Sequence, residues 1–139
     1  MQILEKRFYQ RSLTRKGNYS LNQTAKGCGA KNFDKFHNAG YMGLYNGETA
    51  DDVAKRKKLR YREDILDNMG SEELAANLFR ITQIEAKLKR DNISNENEAN
   101  QTHRNIGKNI REVIAKNGGT MPEKLPPPKK SLKELSKEK

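Results

Sequence analysis

Two long amphipathic helices joined by a short turn limit what this chain can fold into more than any other feature. Ser71-Glu-Glu-Leu places a capping serine before acids in a first turn. Leu74, Leu78, Ile81 and Leu88 then recur at helical spacing, and Ala75, Phe79 and Ile84 widen the stripe, which predicts a helix over 72–90. Asp91–Ser94 is the connection, with Ile93 as an anchor. Beyond it Ala99, His103, Ile106, Ile110, Val113 and Ile114 line one face of a second helix over about 95–117. Gly118-Gly119 ends it in the usual C-terminal manner, and Gly107 allows a neighbour to approach its apolar face. So short a connection predicts that the pair packs as an antiparallel hairpin.

The remaining segments read as shorter helices. Gln2–Arg15, with Ile3, Leu4, Arg7, Phe8, Arg11 and Arg15, is apolar and basic, and Gly17-Asn18 is expected to stop it. Leu21–Lys26 is a short helix bounded by Gly27 and Gly29. Asn32 caps another that holds Phe33 and Phe36, and Asn38-Ala-Gly40 breaks it. Tyr41, Leu44 and Tyr45, set among Gly40, Gly43 and Gly47, read as a compact loop with its aromatics tucked under the fold. Thr49 caps a further short helix with Asp51 and Asp52 in its first turn and Val53 inward. Glu63–Asn68 gives one more helical turn, stopped at Gly70. Neither a strand pattern nor an internal repeat is visible. The expected fold is all-α: a small helical domain built on the antiparallel hairpin, with short accessory helices and a disordered C-terminal tail. Its segments are a basic N-terminal helical segment (1–31), a helical domain (32–119) and a flexible Pro/Lys-rich tail (120–139). Within that tail SLKELSKEK is suited to a helical turn on contact with a partner.

Apolar and charged residues each make up 33% of the sequence, so the core must be thin and drawn from narrow stripes. No apolar run approaches the ~20 residues of a membrane span, and residues 1–25 lack the apolar centre of a signal peptide. The single Cys28 excludes an internal disulfide, and no Cys/His spacing suggests zinc. A soluble, cytosolic protein is the plain reading. The net charge of +10 lies in patches. Residues 1–31 contribute +6, Lys55–Arg62 another +6 and 122–139 a further +3, which leaves the rest of the chain acidic. That distribution suits phosphates or an acidic protein face.

The densest patch is Lys55, Arg56, Lys57, Lys58, Arg60, Tyr61 and Arg62. If the helix breaks near Leu59, these residues ring a convex corner that meets a phosphate backbone or an acidic partner, with Tyr61 placed to stack on an unpaired base. Binding of that kind is steeply salt-dependent. The bland alternative is a solvated corner whose charges pair with Glu63, Asp64 and Asp67. Lys6, Arg7, Arg11 and Arg15 form a secondary basic surface. Arg80, mid-helix beside the apolar stripe, is expected to bridge to an acid on the neighbouring helix, the alternative being a charge presented at a partner surface. His103 reads as a hydrogen-bonded core residue. His37, near Tyr41 and Asp34, has too few companions for a metal or catalytic centre. The glycines of GYMGLYNG lack the strand, Lys-Ser/Thr and helix entry of a phosphate loop, so turn geometry explains them better. Cys28, between Gly27 and Gly29, carries no assigned role. No catalytic set, metal or cofactor is expected, and the chain reads as a binding module rather than an enzyme.

GYMGLYNGET, the basic run and ILDNMGSEELAANLFRITQIEAKLKRD together resemble the C-terminal half of the DNA-damage-inducible protein D (DinD) family. ANQTHRNIGKNIREVIAKNGGTMPEKLPPPKKSLKEL matches the family's ending, and EKRFYQRSL and GAKNFDKFHNAGY match more loosely. The resemblance covers roughly Glu5 to Leu135 and is most specific over 40–90 and 117–123. Nothing here corresponds to the N-terminal domain the family normally carries, which resembles the Bro-N modules of phage antirepressors. The resemblance implies a regulatory role in the bacterial SOS response or in phage–host interaction, through contact with a RecA-type recombinase and its DNA filament. Two other readings stay open: a direct nucleic-acid binder, of single-stranded DNA in particular, and a phage-encoded inhibitor or antirepressor fragment acting on a host regulatory protein. A homodimer through residues 1–25 is compatible with each.

Overall fold

A computed structural model describes residues 3–60 and 63–137, with side chains from Lys6 onward. It contains helices α1 (Ile3–Gly27), α2 (Phe33–Leu44), α3 (Ala50–Arg56), α4 (Ser71–Arg90), α5 (Glu96–Lys116) and α6 (Leu132–Lys137). Single 3-10 turns lie at Leu66–Asn68 and Pro122–Lys124, and no strand occurs among the described residues. The all-α expectation holds, and so does the hairpin of the two long helices. No helix is long and apolar enough to cross a membrane among the described residues.

Two hairpins, α1–α2 and α4–α5, face each other so that α1 runs beside α4 and α2 beside α5. Each of these pairs is parallel. Along the first, Gln10 Nε2 donates to Ser71 O and Ser20 Oγ to Glu85. Along the second, the backbone N–H groups of Lys31 and Asn32 donate to Glu96, and Arg111 Nη1 donates to Leu44 O. The two hairpin turns therefore meet at one end of the bundle. Gly29, in a left-handed conformation at φ +94, lies so close to the other turn that a Cβ would sit 3.1 Å from Ser94 O. The core between the layers includes Leu21, Phe36, Leu44, Ile81, Ile84 and Leu88.

Several glycines that read as stops in the sequence lie inside helices instead. α1 does not end at Gly17; a Cβ there would come 3.1 Å from Ile81 Cγ2, so the glycine lets α1 settle against α4. Asn38-Ala-Gly40 does not break α2, and Tyr41 and Leu44 are helical rather than part of a loop. A Cβ on Gly43 would fall 2.1 Å from Arg104 O, and one on Gly107 would fall 2.5 Å from Leu44 N. Gly43 and Gly107 thus bring the backbones of α2 and α5 into contact, in agreement with the close approach predicted at Gly107. Of the three glycines in GYMGLYNG only Gly47, at φ +99, serves a turn.

The local start signals fare well. Thr49 Oγ1 accepts from the Asp52 N–H while Asp52 Oδ2 accepts from the Thr49 N–H, a complete capping box. Asn95 Oδ1 accepts from Glu98 N and starts α5. At α4 the capping position falls on Gly70, one residue before Ser71, without a side-chain hydrogen bond. The turn predicted over Glu63–Asn68 shrinks to the 3-10 turn at its end.

The opposite end of the bundle is closed by the crossover from Tyr45 to Gly70 and by the C-terminal segment. That segment is packed, contrary to the disordered tail expected from its composition. Pro122 and Leu132 are buried, Glu123 pairs with Arg111, and Arg7 Nη1 donates to Lys130 O at 3.1 Å. Ser131 and Glu134 cap α6 reciprocally. The final residues of SLKELSKEK, 138–139, lie outside the described residues.

Gly43→Ala is expected to cost at least about 3 kcal/mol, because the added methyl meets backbone that cannot rotate away. Gly27→Ala has open space and is expected to be neutral or to stabilise by up to about 1 kcal/mol through helix propensity. Urea denaturation of the two variants checks the contrast.

Candidate binding surface

The basic run divides into an anchored half and an exposed half. α3 ends at Arg56, and Lys58 takes the left-handed conformation (φ 58), which turns the chain sharply where the helix was expected to break. Lys57 shares the face of Val53, one helical turn earlier, and points inward. It is not part of the outer surface. Its Nζ donates to Glu73 Oε1 at 2.8 Å and to Asn68 O at 3.2 Å, and both side chains of the ion pair are nearly inaccessible. Arg56 folds back over the Tyr45 ring and pairs with Glu48 at 2.9 Å. Lys55, Lys58 and Arg60 stand exposed, and none of these three cations forms an ion pair among the described residues. Tyr61 and Arg62 lie outside the described residues.

The secondary basic surface is likewise reduced to one member. Arg7 is buried, and its guanidinium donates to the carbonyls of Asp67, Met69 and Lys130. Arg11 pairs with Asp67 at 2.6 Å and Arg15 with Asp64 at 2.6 Å. Arg7, Arg11 and Arg15 thus join α1 to the segment before α4, Arg15 through a solvent-exposed pair, and Lys6 is exposed with no ion pair among the described residues.

Glu73 leads into a buried polar chain that the sequence did not reveal. Tyr45 Oη donates to Glu73 Oε2, and Asn77 Nδ2 donates to Tyr45 Oη at 2.9 Å. Arg80 Nη2 donates to Asn77 Oδ1 at 3.2 Å and Nη1 to His103 Nε2 at 2.6 Å. His103 Nδ1 then donates to Phe36 O at 2.8 Å, which fixes its neutral tautomer. Arg80 is 1% exposed, and its guanidinium lies 5.0 Å from the centre of the Tyr41 ring. No acid pairs with it among the described residues, so the carboxylate partner expected for it is replaced by an imidazole, an amide and an aromatic face. Gly40 makes the room: a Cβ there would sit 2.2 Å from His103 Nε2. The one signal in the sequence was spacing, since Glu73, Asn77 and Arg80 share a helix face.

Burial lowers the pKa of His103 well below its usual value, and the neighbouring Arg80 lowers it further. His37, which donates from Nε2 to Asn22 Oδ1, is lowered to about 4, first by burial and then by Arg80. Burial followed by the Glu73 charge pushes the Tyr45 phenol well above 10. Cys28 is buried in the core and its thiol is raised by desolvation, which disfavours thiolate chemistry. No His/Cys/Asp/Glu group fit to hold a metal occurs among the described residues. A groove of about 710 Å³ beside α2 and α5 is lined by the amides of Asn38, Asn97, Asn100 and Gln101, with Arg104 at its edge.

Lys57→Met leaves the Glu73 carboxylate buried without its cation and is expected to cost about 3–5 kcal/mol. Adding Glu73→Gln should restore much of that loss, which a double-mutant cycle of urea melts measures. The histidines set a pH dependence. Both stay neutral when folded and bind protons near pH 6.5 when unfolded, so stability is full above 6.5 and falls as pH drops toward about 4. Each contributes up to about 1.4 kcal/mol per pH unit. Denaturation at a series of pH values checks this, and His37→Gln should flatten the slope.

A family model, the DinD C-terminal domain, matches residues 2–135. The chain is similar to DNA damage-inducible protein D of Escherichia coli K12, with 46% identity over 134 residues and 94% of the chain covered. It spans about half of that relative, 49% of its length. No solved structure matches significantly. With the resemblance first seen around GYMGLYNGET extended to nearly every residue of the helical bundle, the chain belongs to the DinD family, as its C-terminal domain.

Proposed function

We propose that this domain is a non-enzymatic regulatory module of the DNA-damage response that acts by contact with a RecA-type recombinase on its DNA filament. The observation that carries the reading is the corner after α3. Lys55, Lys58 and Arg60 are exposed there with no ion pair among the described residues, on a turn held in place from within by Lys57 and Glu73. Cations already matched by internal acids gain little from a partner, whereas unmatched ones on a fixed turn attract an acidic face at little reorganisation cost. The relative's name, DNA damage-inducible protein D, supports the physiological setting. The arginines of α1 are engaged with the bundle, and the corner, where three unmatched cations lie within six residues, is the favoured contact for the recombinase.

Strand exchange driven by a RecA-type recombinase, measured with and without a molar excess of this chain, tests the reading. The expected outcome is a changed rate that Lys55→Glu/Lys58→Glu/Arg60→Glu abolishes while thermal unfolding stays as in the parent. Unchanged rates at excess sink the proposal.

A further inference from the structure

From Lys6 to Lys26 helix α1 contains no acid, and its cations sort by type. Arg7, Arg11 and Arg15 are engaged with carbonyls and carboxylates of the bundle. Lys6, Lys16 and Lys26 are exposed, with no ion pair among the described residues. Between them stand Tyr9, 57% exposed, and Tyr19, 70% exposed, neither with a hydrogen-bond partner among the described residues. The other tyrosines with described side chains, Tyr41 and Tyr45, belong to the interior network. The result is a repeated Lys–Tyr–Lys–Tyr–Lys order in which equivalent residues are ten positions apart. Ten residues rise about 15 Å and turn about 2.8 times, so the ladder winds slowly back around the exposed side of α1.

We infer that this ladder is a second binding site, for single-stranded nucleic acid, on a helix separate from the basic corner. A tyrosine left this exposed gains nothing from the fold, yet it offers a flat ring on which an unpaired base stacks whatever its sequence. The lysines add charge complementary to a phosphate backbone along the length of the helix, with no acid on α1 between them to repel it. A protein partner would call for an apolar patch, but the exposed residues between the rings are Ser12, Arg15 and Lys16. A duplex keeps its bases stacked on each other and unavailable to the rings. The strand, not the duplex, is the occupant.

Fluorescence anisotropy of a labelled oligothymidylate, titrated with the full chain at low salt, tests the site without any recombinase. Tyr9→Ala/Tyr19→Ala is expected to weaken binding by about tenfold or more. Tyr9→Phe/Tyr19→Phe should bind like the parent, because stacking needs the ring and not the hydroxyl. Lys6→Gln/Lys16→Gln/Lys26→Gln should reduce the slope of log affinity against log salt by about 2. All these side chains are exposed, so unchanged circular-dichroism melts confirm that folding is intact. The inference is overturned if the parent does not bind the oligonucleotide at low salt, if the alanine pair binds as well as the parent, or if duplex DNA binds as tightly. Because the corner residues are left intact, its failure is distinguishable from failure of the recombinase reading, which is scored by strand exchange.

Discussion

The bundle depends on a buried guanidinium that has no carboxylate. Moving an arginine out of water costs several kcal/mol even after relaxation, and a bare ion pair often fails to recover that cost. Arg80 is stabilised by divided means: His103 and Asn77 accept two of its N–H groups, and the Tyr41 ring meets its face. Each acceptor is correct only because of something further away. His103 presents a lone pair at Nε2 because Phe36 O takes its proton at Nδ1, and Asn77 presents its oxygen because Tyr45 Oη, Glu73 O and the Met69 sulfur surround its nitrogen. The chain Lys57–Glu73–Tyr45–Asn77–Arg80–His103–Phe36 therefore fixes α2, α3, α4 and α5 relative to one another. Arg80 Nε is buried without a hydrogen-bond partner among the described residues, but the links on either side of it specify one arrangement where an apolar core of this thinness would admit several.

The same network demands glycine. His103 reaches Arg80 only across the position where Gly40 would otherwise carry a Cβ, and α2 reaches α5 only through Gly43 and Gly107. This is where the sequence was hardest to read. Local patterns gave the long helices, the hairpin, the Thr49 and Asn95 caps and the approach at Gly107, because those signals sit within a turn or two of the residue that uses them. Gly17, Gly40 and Gly43 gave the opposite of their role. A glycine that ends a helix and one that admits a neighbouring helix look alike until the neighbour is known, and here the neighbour lies about 60 residues away in each case.

Charge was misread for a related reason. A run such as KRKKLRYR states how many cations there are, not which have partners. Lys57 is spoken for by Glu73, and Arg56 by Glu48. On α1 the division follows chemistry. Guanidinium groups spread several donors over the carbonyls and carboxylates of the crossover, whereas the more strongly hydrated ammonium groups stay in water. Among the described residues the basic surface open to a partner is thus smaller than composition suggests, and it includes the corner after α3 and the outward side of α1. Lys57 could have been singled out from its place one turn after Val53, but Arg7 could not, since its acceptors are backbone atoms at Asp67, Met69 and Lys130.

Closure at both ends bears on how such a surface would act. At one end the turns of the two hairpins lock through Gly29 and Glu96. At the other, Arg111 joins Leu44 to Glu123, and Arg7 joins α1 to the segment before α6, with Leu132 buried beneath. Helices fastened at both ends hold exposed side chains at fixed spacing, so the entropy that a flexible basic tail would lose on binding has largely been lost already in folding. A composition that reads as loose and sticky is instead a braced frame. Its exposed lysines, arginine and tyrosines at the corner and on α1 have no internal partner among the described residues, so contact with another molecule can add to their stability without first breaking an internal bond.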